Sequence, residues 1–571
     1  MENTQSAAYA AIPRRFLAED ADLGDWPTVE RYYQALADRP IASVDALEAW
    51  LLDLSELDGW LGEEGSRRYV AMTCQTDDPE REKRYLSFIE EIVPRSKTWS
   101  HRLDRKLLEC DCHDRLPADR YAVLVRRIKN RVALFREENV PLQTEDEKLR
   151  QRYQKLVGGL VARHDGREQT MQQMQRYLQE PDRAVRREAW EKCDEQWASA
   201  RDEIDAIYDE MVKLRHRIAR NAGCADYREY AFRELERFDY TASDCEAFAA
   251  AIEDIVVPAA RQLADRRKAR LGLDTLRPWD MAVDPQARPP LRPFEAVSEL
   301  VGGCERIFSQ VDPDFGAQFA HMRREGLLDL ESRKGKAPGG YMMTYEGRRL
   351  PFIFMNAVGT QRDIETLLHE GGHAFHAFAA RDEPLTALRD APIEFAEVAS
   401  MGMELLAGRF LDAFYRAEEH ERAVWDHLAG IVRFFPYMAM IDMLQHWVYT
   451  HPNHTREQRR GAWLALNRKY AGWVDYGGYE ESLACAWHRK GHPFTVPFYY
   501  VEYGIAQLGA LGVWLNAKTD YAKAVRDYRA GLALGGTRPL ADLFAAANVR
   551  LDFTAAALAP AVAEIQRRLA E

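Results

Sequence analysis

The order of apolar and polar residues predicts a mostly α-helical chain. Apolar residues recur at three- and four-residue steps over long stretches, and the two-residue alternation of strands is rare. The longest such stretch follows Pro181 and Asp182, stops before Gly223, and has a seam that runs from Trp190 to Ile218. We interpret it as one helix of about 40 residues that packs on neighbouring helices of the same chain, because Trp side chains suit a broad core better than a narrow intermolecular coiled coil.

Local signals add detail to this helical pattern. Thr144, followed three residues later by Glu147, resembles a capping box and predicts a helix from 145 to about 161. The Pro-rich residues 271–293 have little periodicity and predict a surface loop or linker. Between 325 and 357 the pattern changes to short apolar and aromatic runs separated by Gly-containing polar segments. These runs predict a small antiparallel sheet inserted in the helical protein.

The strongest chemical motif follows that sheet, where residues 369–373 read HEGGH. Thr360 and Asp363 form a capping signal that predicts a helix from about 361. The apolar residues of this helix share one face, and its histidines, which include His376, lie on the other. Two Gly residues inside a helix cost about 1 kcal/mol each relative to Ala. We therefore expect some other part of the protein to approach the helix closely at Gly371 and Gly372.

The residue types in this motif suit zinc chemistry. His369 and His373 are one helical turn apart, so both imidazoles can converge on one tetrahedral Zn²⁺. Glu370 can then reach the attacking water without binding the ion and can move its proton. The Gly and His that would extend the motif in metzincins are missing, which excludes that subclass.

A catalytic zinc needs a third protein ligand. Pro392 can begin a helix on which Glu394, Glu397 and Glu404 share one face. One of these acids is the expected ligand, and the others can accept hydrogen bonds from the histidines that bind the metal. Periodicity alone leaves the choice among the three open.

A second group of polar aromatic residues follows near the C-terminus. The segment 488–507 contains His492 and three tyrosines, Tyr499, Tyr500 and Tyr503. A tyrosine hydroxyl can donate a hydrogen bond to the oxyanion that develops during peptide hydrolysis. Spacings of three and four residues allow at least one of these hydroxyls to face an active site.

Composition narrows the class of protein. The chain has 571 residues, more than a single core needs, so two or three lobes are expected. A net charge of −13 argues against a nucleic-acid partner. The 8 Cys are unevenly spaced and form no dense disulfide pattern. No apolar run is long enough for a signal peptide or membrane span, which predicts a soluble cytoplasmic protein.

Together these motifs resemble the thimet oligopeptidase family of zinc metallopeptidases, and most nearly its oligoendopeptidase F branch. The resemblance covers about residues 330–510, from KAPGGYMMTY through HEGGHAFH and EFAEVAS to HPFTVPFYYVEYG. It implies a mostly α, two-lobed zincin-type fold, with a small sheet next to the HExxH helix and a deep central channel. We expect an N-terminal helical lobe over 1–195 and a catalytic domain over 196–571.

The resemblance also implies roles for individual residues. The family's third zinc ligand lies in a Phe-x-Glu-x-x-Ser context, which here selects Glu397 to join His369 and His373. Glu370 is then the general base and acid, and Tyr503, with His492 or Tyr500, binds substrate and steadies the oxyanion. Supporting positions around the metal are expected at Glu394, Glu404 and His376, and a substrate-binding edge strand at Gly339, Gly340 and Tyr341.

The function implied is an endopeptidase with one Zn²⁺ per chain that hydrolyses short oligopeptides. We expect peptide substrates and no nucleic-acid or membrane partner, and we make no prediction of an oligomer. A helical zinc carboxypeptidase, which removes single C-terminal residues, is the alternative within the enzymes. A catalytically silent peptide-binding protein is the alternative outside them.

Overall fold

The computed structural model describes residues 12–570, which form two compact units. Unit 1 comprises the described residues of Met1–Val132, Leu291–Ala423 and Ala506–Leu551. Unit 2 comprises those of Ala133–Pro290, Val424–Ile505 and Asp552–Glu571. Both units are predominantly helical, which confirms the predicted fold class. The predicted functional division at residue 195 and the central channel stay predictions.

Unit 1 has a helical N-terminal part with its own apolar core, in which Val29, Leu47, Trp50 and Leu103 are fully buried. Its α-helices are Trp26–Asp38, Val44–Cys74, Pro79–Ser87, Val93–Glu109, Val297–Val311, Pro313–Arg324, Gln361–Ala379, Thr386–Arg389, Ile393–Ala407, Tyr521–Leu532 and Leu540–Ala546. Its shorter turns are a π-helix at Phe88–Ile92 and 3₁₀ helices at His113–Arg115 and Gly408–Ala413.

The sheet of unit 1 has three strands, which we number β3 (Leu328–Glu331), β4 (Tyr341–Tyr345) and β5 (Leu350–Ala357). β5 is central, β3 pairs with it in parallel and β4 pairs with it antiparallel. The prediction of a purely antiparallel sheet is therefore wrong. It assumed that strands adjacent in sequence pair, whereas β3 lies beside β5, so that β3 and β4 form the two edges of the sheet. The sheet packs on the helix Gln361–Ala379, as predicted.

Unit 2 contains the longest helix and a two-stranded antiparallel hairpin of β1 (Val161–His164) and β2 (Arg167–Thr170) that the sequence patterns did not indicate. Its α-helices are Asn139–Gly158, Met171–Met174, Arg183–Asn221, Tyr227–Glu234, Ala242–Arg270, Arg456–Tyr470, Glu480–Ala484, His492–Thr495 and Ala555–Ala570. Its 3₁₀ helices are Gln175–Gln179, Pro278–Asp280 and Ala486–Arg489. Three helices begin in the sequence of one unit and end in that of the other: Ala118–Leu134, Ala417–Thr450 and Tyr500–Thr519.

The predicted long helix is confirmed over Arg183–Asn221. Asp182 caps it by accepting a hydrogen bond from the amide of Ala184 at 2.8 Å. The helix packs on Asn139–Gly158 of the same unit, so its seam is intramolecular, as interpreted. No helix among residues 12–570 is long and apolar enough to cross a membrane.

Two local predictions need correction. The helix placed at 145–161 is Asn139–Gly158, and Thr144 does not cap it, because its hydroxyl donates to the Val140 carbonyl inside the helix at 3.0 Å. Pro141 is tolerated there because it lies in the first turn. The Pro-rich segment 271–293 is irregular as predicted, yet Trp279 and Asp280 are buried rather than at the surface. Asp280 pairs with two arginines of the long helix, which anchors the segment.

Candidate metal centre

The helix Gln361–Ala379, here called the HExxH helix, begins where the sequence predicted. The carboxylate of Asp363 accepts hydrogen bonds from the amide of Thr360 at 2.8 Å and from its hydroxyl at 3.0 Å. It also accepts from the amide of Val358 at 2.9 Å. Asp363 thus fixes the entry of the chain into the helix that carries the HEGGH motif.

The two consecutive glycines allow close packing around this helix. A Cβ on Gly372 would lie 2.4 Å from the carbonyl oxygen of Ala399 and 2.6 Å from Cα of Ser400. A Cβ on Gly371 would lie 2.5 Å from the ring of Phe308. Ala399 and Ser400 belong to the helix Ile393–Ala407, here called the acidic helix. Gly372 therefore lets two helix backbones approach closely, which is the contact that the glycines led us to expect.

This contact brings three candidate ligands together. Oε2 of Glu397 lies 3.3 Å from Nε2 of His369 and 3.6 Å from Nε2 of His373. One ligand atom from each residue lies within 4.8 Å of the others. Glu397 is buried, whereas the side chains of His369 and His373 are 25% and 16% exposed to solvent. Two imidazoles and a carboxylate thus converge beside a partly open space.

Two neighbours orient these donors. Oε1 of Glu404 lies 2.7 Å from Nδ1 of His369. Because a carboxylate can only accept, Nδ1 carries the proton and Nε2 is left to bind a metal. The hydroxyl of Ser400 donates to Oε2 of Glu397 at 2.8 Å and holds that carboxylate from the other side. Ser400 belongs to the Phe-x-Glu-x-x-Ser motif, but its contact could not be read from the sequence.

The charges around the donors shift their pKa values in opposite directions. Burial lowers the pKa of His369, but hydrogen bonds and charge attraction from Glu397 and Glu404 outweigh it and hold this pKa well above its usual value. Burial, with the neighbouring His369, lowers the pKa of His373 to about 4. Glu397 has its pKa lowered, since the two histidines and Ser400 outweigh burial. Without metal the site therefore presents a negative Glu397, a neutral His373 and a protonated His369. A divalent cation binds Nε2 of His369 by displacing the proton that this atom shares with Glu397.

Glu370 is on the HExxH helix, directly after His369, and lies beside the three donors. Its side chain is 7% exposed, and burial raises its pKa to about 7, with a further upward contribution from Glu397. The backbone amide of Met342, on the edge strand β4, donates a hydrogen bond to its carboxylate. Glu370 is therefore fixed between the sheet edge and the metal-binding residues, in a dry environment that favours proton transfer.

The other predicted supporting residues are buried around the site. The ring of His376 lies 6.1 Å from the ring of Phe395 and is only 6% exposed, and burial lowers its pKa to about 3. Glu394 is buried in the first turn of the acidic helix. Both belong to the helix pair that carries the candidate ligands, and the charge of His373 contributes to the lowered pKa of His376.

The predicted substrate edge lies in the same unit. Gly339 and Gly340 are exposed and lead into β4, the outer strand of its sheet. Gly339 has a φ of +98°, in the left-handed region that favours glycine. Tyr341 begins the strand, stacks on Phe354 at 4.7 Å and shares a 2.6 Å hydrogen bond with the hydroxyl of Thr73.

The C-terminal His and Tyr residues form an aromatic cluster inside unit 2. The ring of His492 lies 4.7 Å from that of Tyr500 and 6.0 Å from that of Tyr503. The rings of Tyr500 and Tyr503 are 6.0 Å apart, one turn from each other on the helix Tyr500–Thr519. Burial and the nearby charge of Lys490 lower the pKa of His492 to about 4, so it is neutral at neutral pH.

Buried polar side chains that the sequence did not single out hold this segment. Arg215 is fully buried and donates to the carbonyls of Pro493 and Phe494, directly after His492. Its own charge is balanced by Asp146 at 2.8 Å. Nothing in the helical pattern marks Arg215, because it lies on a helix face whose burial depends on the tertiary fold.

Zinc fits the donor set at the HExxH helix. Two imidazole nitrogens and one carboxylate oxygen are a donor set that Zn²⁺ takes at catalytic sites with three protein ligands. The partner of His369 at Nδ1 is a carboxylate, which is the usual support for a zinc-binding imidazole. The partial exposure of both histidines leaves access for a water molecule or substrate.

A variant of Glu404 tests this support. Replacing Glu404 with Ala removes the acceptor for Nδ1 of His369, and we expect zinc affinity to fall about 10–100-fold. Glu404→Gln keeps an oxygen acceptor and should lose less. Competition with a zinc-sensitive chelating dye measures both affinities. Equal affinity of wild type and Glu404→Ala would contradict the orienting role.

Comparison with known proteins gives one family match over most of the chain. The model of peptidase family M3 matches residues 176–561. Among curated proteins, the oligopeptidase PepF of Bacillus subtilis is 26% identical over 243 residues, which are 41% of this chain and 36% of that protein. An oligoendopeptidase F homolog of Borreliella burgdorferi is 25% identical over 248 residues, 41% of each chain. The matched parts thus span well under half of these relatives.

Similarity to solved structures extends over nearly the whole chain. The structure of PZ peptidase A with an inhibitor has a TM-score of 0.88 and 28% identity, and the match covers 97% of this chain and 99% of that one. Oligoendopeptidase F from Enterococcus faecium has a TM-score of 0.65 and covers 95% of this chain and 96% of its own. At 15% identity, that second likeness shows the fold alone.

Proposed function

Since the chain belongs to peptidase family M3, we propose that it is a zinc-dependent endopeptidase of the oligoendopeptidase F kind that hydrolyses short oligopeptides. The observation that carries the proposal is the convergence of His369, His373 and Glu397 within 4.8 Å. Glu370 is buried directly beside them. The names of the relatives, which are oligopeptidases and oligoendopeptidases, support peptides as substrates.

One zinc ion is held by His369, His373 and Glu397 in this proposal. When bound, zinc supplies Lewis-acid chemistry that lowers the pKa of water and polarises a carbonyl group. Glu404 keeps the proton of His369 on Nδ1, and Ser400 keeps Oε2 of Glu397 in place. These contacts prepare the donor atoms before metal arrives.

Glu370 is the proton-transfer group. Its carboxylate accepts a proton from the attacking water and returns it to the amine nitrogen that leaves when the peptide bond breaks. Burial favours this cycle, because a carboxylate with a raised pKa both accepts and releases a proton near neutral pH. The amide of Met342 keeps the carboxylate from rotating away.

The edge strand β4 supports peptide binding. Its outer side is not paired with another strand of the sheet, and Gly339 and Gly340 before it leave room for a second backbone. A substrate that adds there by main-chain hydrogen bonds is held with little preference for its side chains. This mode suits an enzyme that takes many oligopeptides.

Tyr503 is proposed to donate to the oxyanion, on the basis of the family resemblance and of its place in the His492 cluster. Replacing Tyr503 with Phe removes only the hydroxyl, and we expect kcat to fall about 10²-fold or more with KM and zinc content nearly unchanged. Tyr499→Phe is the matched control, because its ring lies 5.5 Å from that of Tyr503 and the resemblance gives it no role. Steady-state kinetics of both variants measure the difference. If kcat were unchanged in Tyr503→Phe, another residue would have to donate the hydrogen bond to the oxyanion.

Two other functions are distinguished by experiment. A carboxypeptidase releases single C-terminal residues and fails on a peptide whose C-terminus is amidated, whereas an endopeptidase cleaves a peptide blocked at both ends. A silent binding protein leaves every peptide intact. Mass spectrometry of a doubly blocked peptide library, incubated with and without chelator, should show internal fragments that the chelator suppresses. Intact blocked peptides in the presence of zinc would overturn the proposal.

A further inference from the structure

A second cluster of metal-binding residue types lies in unit 2, separate in sequence from the HExxH helix. Cys245 is in the first turn of the helix Ala242–Arg270, and Asp442 and His446 are one turn apart on the helix Ala417–Thr450. One ligand atom from each lies within 4.8 Å of the others. All three are buried, with exposures of 1%, 1% and 4%.

Asp442 is the unusual member of this cluster. Within residues 12–570, neither oxygen of its carboxylate has a hydrogen-bond partner. Oδ2 lies 3.3 Å from Nε2 of His446, but the two atoms do not form a hydrogen bond, and Nε2 has no other protein partner in the described chain. A buried carboxylate without hydrogen bonds is costly, and buried charges are normally paired or bound to metal. The carboxylate of Asp442 and Nε2 of His446 face each other beside the thiol of Cys245, and neither has a hydrogen-bond partner. An additional ligand between them would satisfy both groups.

We propose that Cys245, Asp442 and His446 bind a divalent transition metal of the zinc class. Sulfur, imidazole nitrogen and carboxylate oxygen are the donors such a metal accepts, and three of them leave a fourth position for water. The thiol of Cys245 loses its proton to solvent on binding, so that thiolate and carboxylate together balance the charge of the ion. Asp442 gains a partner for its carboxylate, and His446 gains one for Nε2.

Metal binding requires a change of tautomer at His446. Nη1 of Arg228 donates to Nδ1 of His446 at 3.3 Å and to Oε1 of Glu246 at 3.0 Å, so without metal the ring proton is on Nε2. The same oxygen of Glu246 lies 4.0 Å from Nδ1. Metal at Nε2 places the ring proton on Nδ1, where Glu246 is the carboxylate that can accept it after a small shift of Arg228.

The position of the cluster indicates a structural role. The ring of His446 packs edge-on against Phe498 at 5.3 Å. Phe498 is held in the left-handed region at φ +65°, which is strained for a side chain of this size. Its amide donates to Oε1 of Gln445, next to His446, at 2.7 Å. A metal that fixes His446 therefore braces the backbone immediately before Tyr499, Tyr500 and Tyr503.

Cobalt spectroscopy separates this site from the HExxH site. A cobalt–thiolate bond gives a charge-transfer absorption in the near ultraviolet, and the ligands of the HExxH site include no thiol. Full-length protein produced in zinc-depleted, cobalt-supplemented medium takes up the metal as it folds, so a buried site is accessible. The variant with both His369 and His373 replaced by Ala removes two ligands of the first site. We expect this variant to keep the charge-transfer band and about one cobalt per chain.

Substitutions in the cluster should remove the band. Cys245→Ser should abolish it, and Asp442→Asn should lower cobalt occupancy at least tenfold while leaving every thiol in place. Cys110→Ser is the matched control, because Cys110 lies three residues before His113 and accepts a hydrogen bond at its thiol from the amide of Cys112, outside the proposed site. Circular dichroism verifies that each variant is folded. A folded protein without the band, or a band that survives in Cys245→Ser, would overturn the proposal. Neither outcome depends on peptide cleavage, so the proposed function is tested separately.

Discussion

Replacing Glu370 with Gln is expected to lower kcat for peptide cleavage about 10²–10⁴-fold while zinc remains bound. The amide has nearly the shape of the carboxylate and can still accept the hydrogen bond from Met342, so the local fold is preserved. It cannot take a proton from water, which removes the proton-transfer step. The metal ligands are untouched, so zinc content by mass spectrometry should equal that of the wild type.

The matched control is Glu365→Gln, on the same helix. Glu365 is a partly exposed carboxylate that pairs with Arg362 at 3.4 Å and is not among the metal-binding residues. We expect this variant to keep kcat within about twofold, since surface ion pairs contribute little. Retained activity in Glu370→Gln, or an equal loss in Glu365→Gln, would contradict the role of Glu370.

Adding one methyl group at Gly372 is expected to damage both stability and activity. Its Cβ would lie 2.4 Å from the backbone oxygen of Ala399, and backbone cannot move aside as a flexible side chain can. Overpacking of this kind lowers the free energy of unfolding by about 1–3 kcal/mol. Separation of the two helices also moves Glu397 from the histidines, and a displacement of about 1 Å can cost about 10²-fold in rate. Thermal unfolding, zinc titration and kinetics of Gly372→Ala measure the three effects.

A second glycine provides the control for this substitution. Gly62 lies in the helix Val44–Cys74, and a Cβ there would meet nothing within 4 Å. Gly62→Ala should therefore raise the free energy of unfolding by about 0.5–1 kcal/mol through helix propensity, with no change in zinc affinity. If Gly372→Ala behaved like Gly62→Ala, the close contact of the two helices would not be what assembles the site.

Much of the helical fold and the core of the site could be predicted because local signals determine them. Asp182 caps the long helix and Thr360 with Asp363 marks the start of the HExxH helix, and both boundaries are local. The spacing of His369 and His373 fixes their relation on one helix. The family named from these motifs agrees with the family model that matches the chain.

What could not be predicted depends on contacts between distant segments. The parallel pairing of β3 with β5 skips the strand between them in sequence, so adjacency along the chain gave the wrong sheet. Periodicity left Glu394, Glu397 and Glu404 equivalent, and the choice of Glu397 came from the family resemblance alone. The structure adds the reason, because the carboxylate of Glu397 faces Nε2 of both His369 and His373, whereas that of Glu404 faces Nδ1 of His369. No local pattern connects Asp442 and His446 with Cys245, because Cys245 lies about two hundred residues earlier in the chain. Cytoplasmic location stays a prediction.

The proposed function depends on one zinc ion bound between the HExxH helix and the acidic helix. Crystals grown with zinc and measured on both sides of the zinc absorption edge test it most directly, because anomalous scattering locates the ion without prior assumptions. We expect an anomalous peak about 2.0–2.1 Å from Nε2 of His369 and from Nε2 of His373, in contact with the carboxylate of Glu397. A fully ordered site with no peak there would contradict it.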